Sequence, residues 1–165
     1  MKKQRRKPKV AGWDKDTNES VILVKNPVWK AFAKRDPIST DSQTSIGLAS
    51  RKALYALTNG DGDFPHLKEL LVSTYAGVYL AEQGYGQEFL EDFHRVLVEL
   101  RQCLLRVMSE QGYSISPAEA KHVSVMLDLH EQQLGLADRA VLAEAIVESY
   151  KHTSAALVRW TENDQ

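Results

Sequence analysis

Two Glu-x-x-His pairs, Glu91 with His94 and Glu119 with His122, are the residues whose spacing most resembles a metal-binding motif. In di-iron helical bundles, two such pairs and two further glutamates hold a pair of metal ions. Here each pair lies near the start of a predicted helix. The starts of consecutive antiparallel helices lie at opposite ends, separated by tens of Å. The spacing therefore predicts no shared metal site, and it favours Glu119 as the partner of Ser116 in a helix-capping box.

Three further features carry reactive side chains. His130 lies on the apolar face of a predicted helix, which favours a core histidine bonded to a neighbour over a ligand or acid–base group. Glu144, Glu148 and His152 recur every four residues, which favours a solvated charged face over a row of ligands. Cys103 stands among apolar residues in the middle of a helix, which predicts a buried structural thiol.

The segment N-G-D-G-D, residues 59–63, resembles the beginning of a calcium-binding loop. Counted from Asn59, position six is Phe64 where that loop needs glycine, and position twelve is Leu70 where it needs glutamate. The segment therefore predicts a turn. The sequence also has no glycine-rich phosphate loop, no nucleophile elbow and no cysteine pair. We expect no catalytic activity, no cofactor and no metal.

Charge is divided unequally along the chain. Residues 1–35 contain eleven Lys/Arg and three Asp/Glu, whereas residues 36–165 contain ten and nineteen. A cationic segment neutralises phosphates without reading sequence, and an aromatic ring can stack on an unpaired base. Docking on an acidic protein surface and no specific role are the alternatives. The residues predicted to contact nucleic acid are Lys2, Lys3, Arg5, Arg6, Lys7, Lys9 and Trp13.

Apolar residues recur every three or four positions over five segments, at about residues 41–57, 63–83, 87–111, 116–135 and 137–160. Asp41 or Ser42 is the expected cap of the first helix, and Gly112 and Gly135 are the expected ends of the third and fourth. The predicted inward face of the first helix includes Ile46, Ala49, Ala53, Leu54 and Leu57. That of the fifth includes Leu142, Ile146, Tyr150, Leu157 and Trp160.

Short connections between these segments favour antiparallel neighbours, at roughly 3–7 residues each. The predicted fold class is all-α, an up-and-down bundle of four to five antiparallel helices over residues 41–160. We expect an extended basic N-terminal arm over residues 1–40, with a possible short strand at 21–24, and a polar tail at 161–165.

The predicted setting is the cytoplasm. No apolar run approaches the ~20 residues that span a bilayer, and no apolar segment follows the basic start as in a secretory signal. The single cysteine fits a reducing compartment. Apolar V-I-L-V at 21–24, with Trp13 and Trp29, offers a surface that a second copy could cover, which predicts a homodimer.

Three stretches of the chain carry a resemblance to known proteins. They are R-K-A-L-Y-A-L-T-N-G-D-G at 51–62, A-G-V-Y-L-A-E-Q-G-Y-G at 76–86 and L-D-L-H-E-Q-Q-L at 127–134. Over about residues 45–145 the chain resembles uncharacterised small helical proteins of proteobacterial phages, plasmids and integrated elements. The resemblance implies an accessory protein of a mobile element, and it supplies no site residues.

The predicted function is a non-enzymatic accessory or adaptor protein that contacts nucleic acid through its basic arm. One alternative is a protein-binding adaptor or inhibitor that acts on a host factor through the acidic face of the bundle. Another is a metal-dependent bundle enzyme.

Overall fold

The computed structural model describes residues 37–162, which form an all-α fold without a strand in that range. The five helices are α1 (Thr40–Asn59), α2 (Phe64–Glu82), α3 (Leu90–Met108), α4 (Pro117–Leu136) and α5 (Arg139–Glu162). The predicted all-α class is confirmed. The basic arm, the short strand at 21–24 and the proposed nucleic-acid residues lie outside the described range.

Local hydrogen bonds set the helix starts. Asp63 accepts from the backbone of His66 at the start of α2. Ser116 forms a capping box with Glu119 at the start of α4, as the sequence predicted. The prediction for α1 was wrong by two to three positions. Ser39 is its cap, and its Oγ accepts from the Ser42 N–H at 3.2 Å, so Asp41 and Ser42 lie within the helix.

The third and fourth helices end differently from the prediction. A 3-10 turn, Gln87–Phe89, precedes α3, which ends at Met108 instead of running to residue 111. Glu110 takes φ 62° and the Gln111 N–H donates to Arg106 O at 2.9 Å, so α3 ends before Gly112. Gly135 does not close α4, because the helix continues to Leu136.

The last helix begins at Arg139 and continues through Glu162, two residues into the expected polar tail. An isolated antiparallel bridge joins Pro37 to Asp138 immediately before it. None of the helices within residues 37–162 has the length and apolarity needed to cross a bilayer.

Helix α2 is the centre of the fold, because it packs against α1, α3, α4 and α5. Helix α4 also packs on α1 and α3. By contrast, α1 and α5 both pack against α2 but form no substantial interface with each other in the described range. Buried side chains therefore occur around most of α2, at Leu67, Leu70, Leu71, Ser73, Thr74, Ala76, Leu80 and Ala81.

Small residues form most of the inner face of α5. Of the predicted face, Leu142 is buried and Ile146, Leu157 and Trp160 pack against the core, so the prediction was wrong at Tyr150. Tyr150 is 46% exposed, whereas the buried positions are Ala140, Leu142, Ala143, Ala145, Ser149, Thr153 and Ala156. Small side chains let two helix axes approach closely, and the larger ones turn to the margin of the interface. Helix α1 shows the same correction, since Ser50 is buried and the predicted Ala49 is exposed.

Candidate functional site

An open cavity of about 260 Å³ lies where α1 and α5 flank α2. Apolar side chains from all three helices supply most of its wall, and His130 of α4 contributes an imidazole ring. A second cavity of about 300 Å³ shares Glu69, Val72 and Tyr150 with it. The residues around the first cavity are Ser45, Ile46, Ala49, Glu69, Val72, Ser73, Ala76, His130, Leu142, Ile146 and Tyr150.

A serine pair connects α1 to α2 at the wall of this cavity. The hydroxyl oxygens of Ser50 and Ser73 are 2.7 Å apart, and both residues are buried. Ser50 Oγ also lies 3.3 Å from Glu69 Oε1. Ser50 Oγ also lies 3.2 Å from Ile46 O, so its contact with Glu69 places one carboxylate oxygen beside the serine pair at the cavity wall. Within residues 37–162, Glu69 forms no ion pair.

The proton position on His130 follows from its neighbour Gln133. Gln133 donates through Nε2 to Gly77 O at 3.0 Å and Tyr85 O at 2.8 Å. Its Oε1 must therefore accept from His130 Nδ1, 3.2 Å away. Assigned from this network, Nδ1 carries the proton and Nε2 keeps its lone pair in neutral His130.

Burial favours the neutral form of this histidine. His130 is only 3% exposed. Burial lowers the pKa of His130, and the hydrogen bond to Gln133 and the charge of Glu131 oppose that shift only in part. The predicted core histidine with a hydrogen-bonded neighbour is confirmed. The structure adds that its ring also lines the cavity.

Glu119 belongs to the capping box and to an ion pair. Arg106 of α3 donates through Nη1 and Nη2 to the two Glu119 carboxylate oxygens, at 3.0 and 2.9 Å. Burial acts to raise the pKa of Glu119, but the hydrogen bonds from Arg106 and Ser116 outweigh it, so the pKa is lowered. The structural role predicted for Glu119 is confirmed.

The two Glu-x-x-His pairs are not brought together. His122 Nδ1 lies 2.5 Å from Glu99 Oε1 on α3, a partner that sequence reasoning missed. Glu91 and His94 are exposed near the start of α3. Over residues 37–162, no group of three or more His, Cys, Asp or Glu is placed to hold a metal ion.

The residues Glu144, Glu148 and His152, spaced four apart on α5, contact different partners. Tyr79 donates to Glu144 at 2.8 Å, so the expectation of a solvated face is wrong at that half-buried position. Burial, with the Glu144 hydrogen bond next, raises the pKa of Tyr79 to about 12. The exposed His152 stacks on Tyr75 with ring centroids 5.6 Å apart. A shared ligand row is therefore not formed.

Two other sequence interpretations are confirmed. Asn59 is the last residue of α1, and residues 60–63 form the predicted turn, in which Gly60 takes φ 82° and Asp63 caps α2. Cys103 is fully buried, and burial is the main cause that raises the pKa of its thiol.

Sequence reasoning missed Glu69, Gln133 and the Ser50–Ser73 pair. A signal existed for Gln133, which lies three residues after His130 and so on the same helix face. No local signal marks Glu69, because its role depends on α1 and α5 converging on α2. The predicted nucleic-acid residues Lys2, Lys3, Arg5, Arg6, Lys7, Lys9 and Trp13 lie outside the described residues.

Comparison with protein-family models, with curated proteins and with solved structures returned no match for this chain. The resemblance to proteins of mobile elements stays a prediction.

Proposed function

We propose that the chain is a non-enzymatic accessory protein of a mobile genetic element that contacts nucleic acid through its basic N-terminal segment. The observation that carries the proposal is the division of charge. The first nine residues hold six cations and no acid, whereas residues 37–162 hold ten Lys/Arg and seventeen Asp/Glu. An anionic body repels a phosphate backbone, so the attraction must come from the cationic segment.

Ion pairs within the body support this assignment. Arg51 pairs with Asp128 and Glu131, and Lys151 pairs with Glu148. Arg106 is a third paired cation, because it forms a bidentate pair with Glu119. These cations are paired with carboxylates, which favours the N-terminal cations as the main source of phosphate contacts.

A gel-shift titration of the full chain tests the proposal. A variant with the six cations at positions 2, 3, 5, 6, 7 and 9 changed to glutamine should lose binding to duplex DNA at low salt. If all six contact phosphate, log K should fall with log salt at a slope of about −5. A control variant with Lys52, Lys121 and Arg139 changed to glutamine should bind as the unaltered chain does.

Equal binding by the six-glutamine variant and the unaltered chain, or no binding by either, would overturn the proposal. The substitution Trp13→Ala separates strand types. It should weaken binding to single strands more than binding to duplex, because only unpaired bases stack on an aromatic ring.

A second candidate function, a protein-binding adaptor or inhibitor, is favoured by the surface of α1 and α4. Leu48 is 68% exposed on α1, where it shares a surface cavity with Glu131 of α4, and Leu136 is 75% exposed at the end of α4. Exposed apolar side chains on a body with ten Lys/Arg and seventeen Asp/Glu suit a basic, apolar partner surface.

A pull-down from bacterial lysate tests this candidate. The unaltered chain should retain a stoichiometric partner that Leu48→Ser/Leu136→Ser loses, whereas the control Val158→Ser should retain it. Recovery of no such partner, or equal recovery by both variants, would count against the adaptor.

We also propose an up-and-down arrangement, a homodimer and a cytoplasmic setting. Cross-helix contacts support the first, since Leu57 at the end of α1 bonds Ile115 before α4, while Gly47 lies close to Glu131 further along α4. The single free thiol supports the third. A light-scattering mass of one chain at micromolar concentration would exclude the dimer.

A further inference from the structure

We propose that the cavity between α1, α2 and α5 binds a small protonated amine with an apolar body, held by the Glu69 carboxylate and the His130 ring. The inference does not depend on nucleic-acid contact. It rests on residues within the described range and on the chemistry of their side chains.

The walls of the cavity select an apolar body. Ile46 and Ala49 come from α1, Val72 from α2, and Leu142 and Ile146 from α5. Burying a hydrocarbon group against these side chains removes apolar surface from water on both partners. A cavity of about 260 Å³ has room for a small organic molecule, not for a polymer.

The polar groups select a cation. Glu69 is an anion with no ion-pair partner among residues 37–162. His130 offers a lone pair at Nε2, because Gln133 takes the Nδ1 proton. Both groups accept hydrogen bonds from an ammonium group, which has donors and no lone pair.

Lys68, the neighbour of Glu69 in the chain, is not among the residues around this cavity. Lys68 Nζ lies 5.7 Å from the centroid of the Tyr150 ring. Lys68 lines the adjoining cavity instead. Its position over Tyr150 shows that the ring face already attracts an ammonium group at the boundary between the two cavities.

The two acceptors, Glu69 and His130, also determine which ligands should bind weakly. A carboxylate ligand would face the Glu69 carboxylate without a compensating donor, and a neutral alcohol would leave the Glu69 charge unpaired. We therefore expect the order amine, then alcohol, then carboxylate. The amine should bind at least tenfold more tightly than the alcohol, because hydrogen bonds to charged groups are the stronger class.

A methyl-detected NMR titration of the full chain at pH 7.5 tests this order. Benzylamine, benzyl alcohol and benzoate have the same ring and differ in charge. Benzylamine should shift the methyl signals of Ile46, Val72 and Ile146 with saturation, and benzoate should shift none of them. Glu69→Gln should reduce benzylamine affinity to that of benzyl alcohol, whereas the control Glu88→Gln on the exposed 3-10 turn should leave it unchanged.

A second variant distinguishes a loss of ligand binding from a loss of folding. Ala49→Leu places extra volume at an exposed wall position, and it should weaken both benzylamine and benzyl alcohol without altering the unfolding midpoint. The proposal is overturned if amine and alcohol bind equally, if Glu69→Gln binds benzylamine as the unaltered chain does, or if millimolar benzylamine shifts no cavity methyl.

Discussion

The side-chain amide of Gln133 holds the proton of His130 on Nδ1. Gln133 Oε1 accepts that proton at 3.2 Å because its Nε2 is committed to the carbonyls of Gly77 and Tyr85. One side chain of α4 therefore joins α2, the loop after α2 and the histidine of the cavity. The free lone pair of His130 is a consequence of this network.

Replacing Gln133 by leucine should destabilise the fold by about 2–3 kcal/mol. The substitution removes two donors to backbone carbonyls and leaves the His130 N–H unpaired in a buried place. Urea denaturation measures the free energy of unfolding. The matched control is Gln132→Leu at the exposed neighbouring position, which should change that free energy by no more than ~0.5 kcal/mol. Equal effects of the two variants would contradict the assigned network.

The stability of the chain should fall with pH below the ordinary pKa of histidine. Burial lowers the pKa of His130, so the unfolded chain takes up a proton at a higher pH than the folded chain does. The stability contribution is therefore complete above about pH 6.5 and is lost as the pH falls toward the folded pKa, by up to ~1.4 kcal/mol per pH unit.

Urea denaturation between pH 5 and 7.5 checks this dependence. His130→Gln should flatten the slope over that window, whereas His94→Gln, at an exposed position, should retain it. The interpretation fails if both variants follow the slope of the unaltered chain.

Gly77→Ala should destabilise the fold by about 1–3 kcal/mol. A Cβ at Gly77 would lie 2.1 Å from Phe93 Cε1, and that ring is fully buried between α2 and α3. The cost of overpacking exceeds the gain in helix propensity. Thermal unfolding measures the change.

Gly135→Ala is the matched control, since both glycines lie within helices. A Cβ at Gly135 meets only Gln43 Oε1 at 3.9 Å, so alanine should stabilise the fold by up to ~1 kcal/mol. A gain in stability from Gly77→Ala would show that Phe93 moves freely, against the packing described.

Arg106 and Glu119 should couple in a double-mutant cycle. Glu119→Gln removes the carboxylate that accepts from Arg106 and caps α4, and we expect a loss of about 1–2 kcal/mol. The pKa of Glu119 is lowered, so its contribution is present at neutral pH and is lost as the pH falls through the folded pKa. Strictly additive effects of Arg106→Gln and Glu119→Gln in urea denaturation would exclude the coupling.

The sequence alone determined features that arise between residues close in the chain. The all-α class, the capping box at Ser116, the turn after α1 and the burial of Cys103 and His130 all follow from side chains within about one helical turn. Such interactions keep the same geometry whatever the helix packs against.

The tertiary structure alone decided how the helices face one another. Ser149 and Thr153 turned inward and Tyr150 outward because α5 lies close to α2, and bulk at that interface would separate the two helices. The contact of His122 with Glu99 joins two helices, and Glu69 lines a cavity that three helices form together. Neither relationship can be read from one helix alone. The sequence pattern of a helix shows how apolar each of its faces is. The distance between the axes of two packed helices then determines which of two adjacent faces is buried.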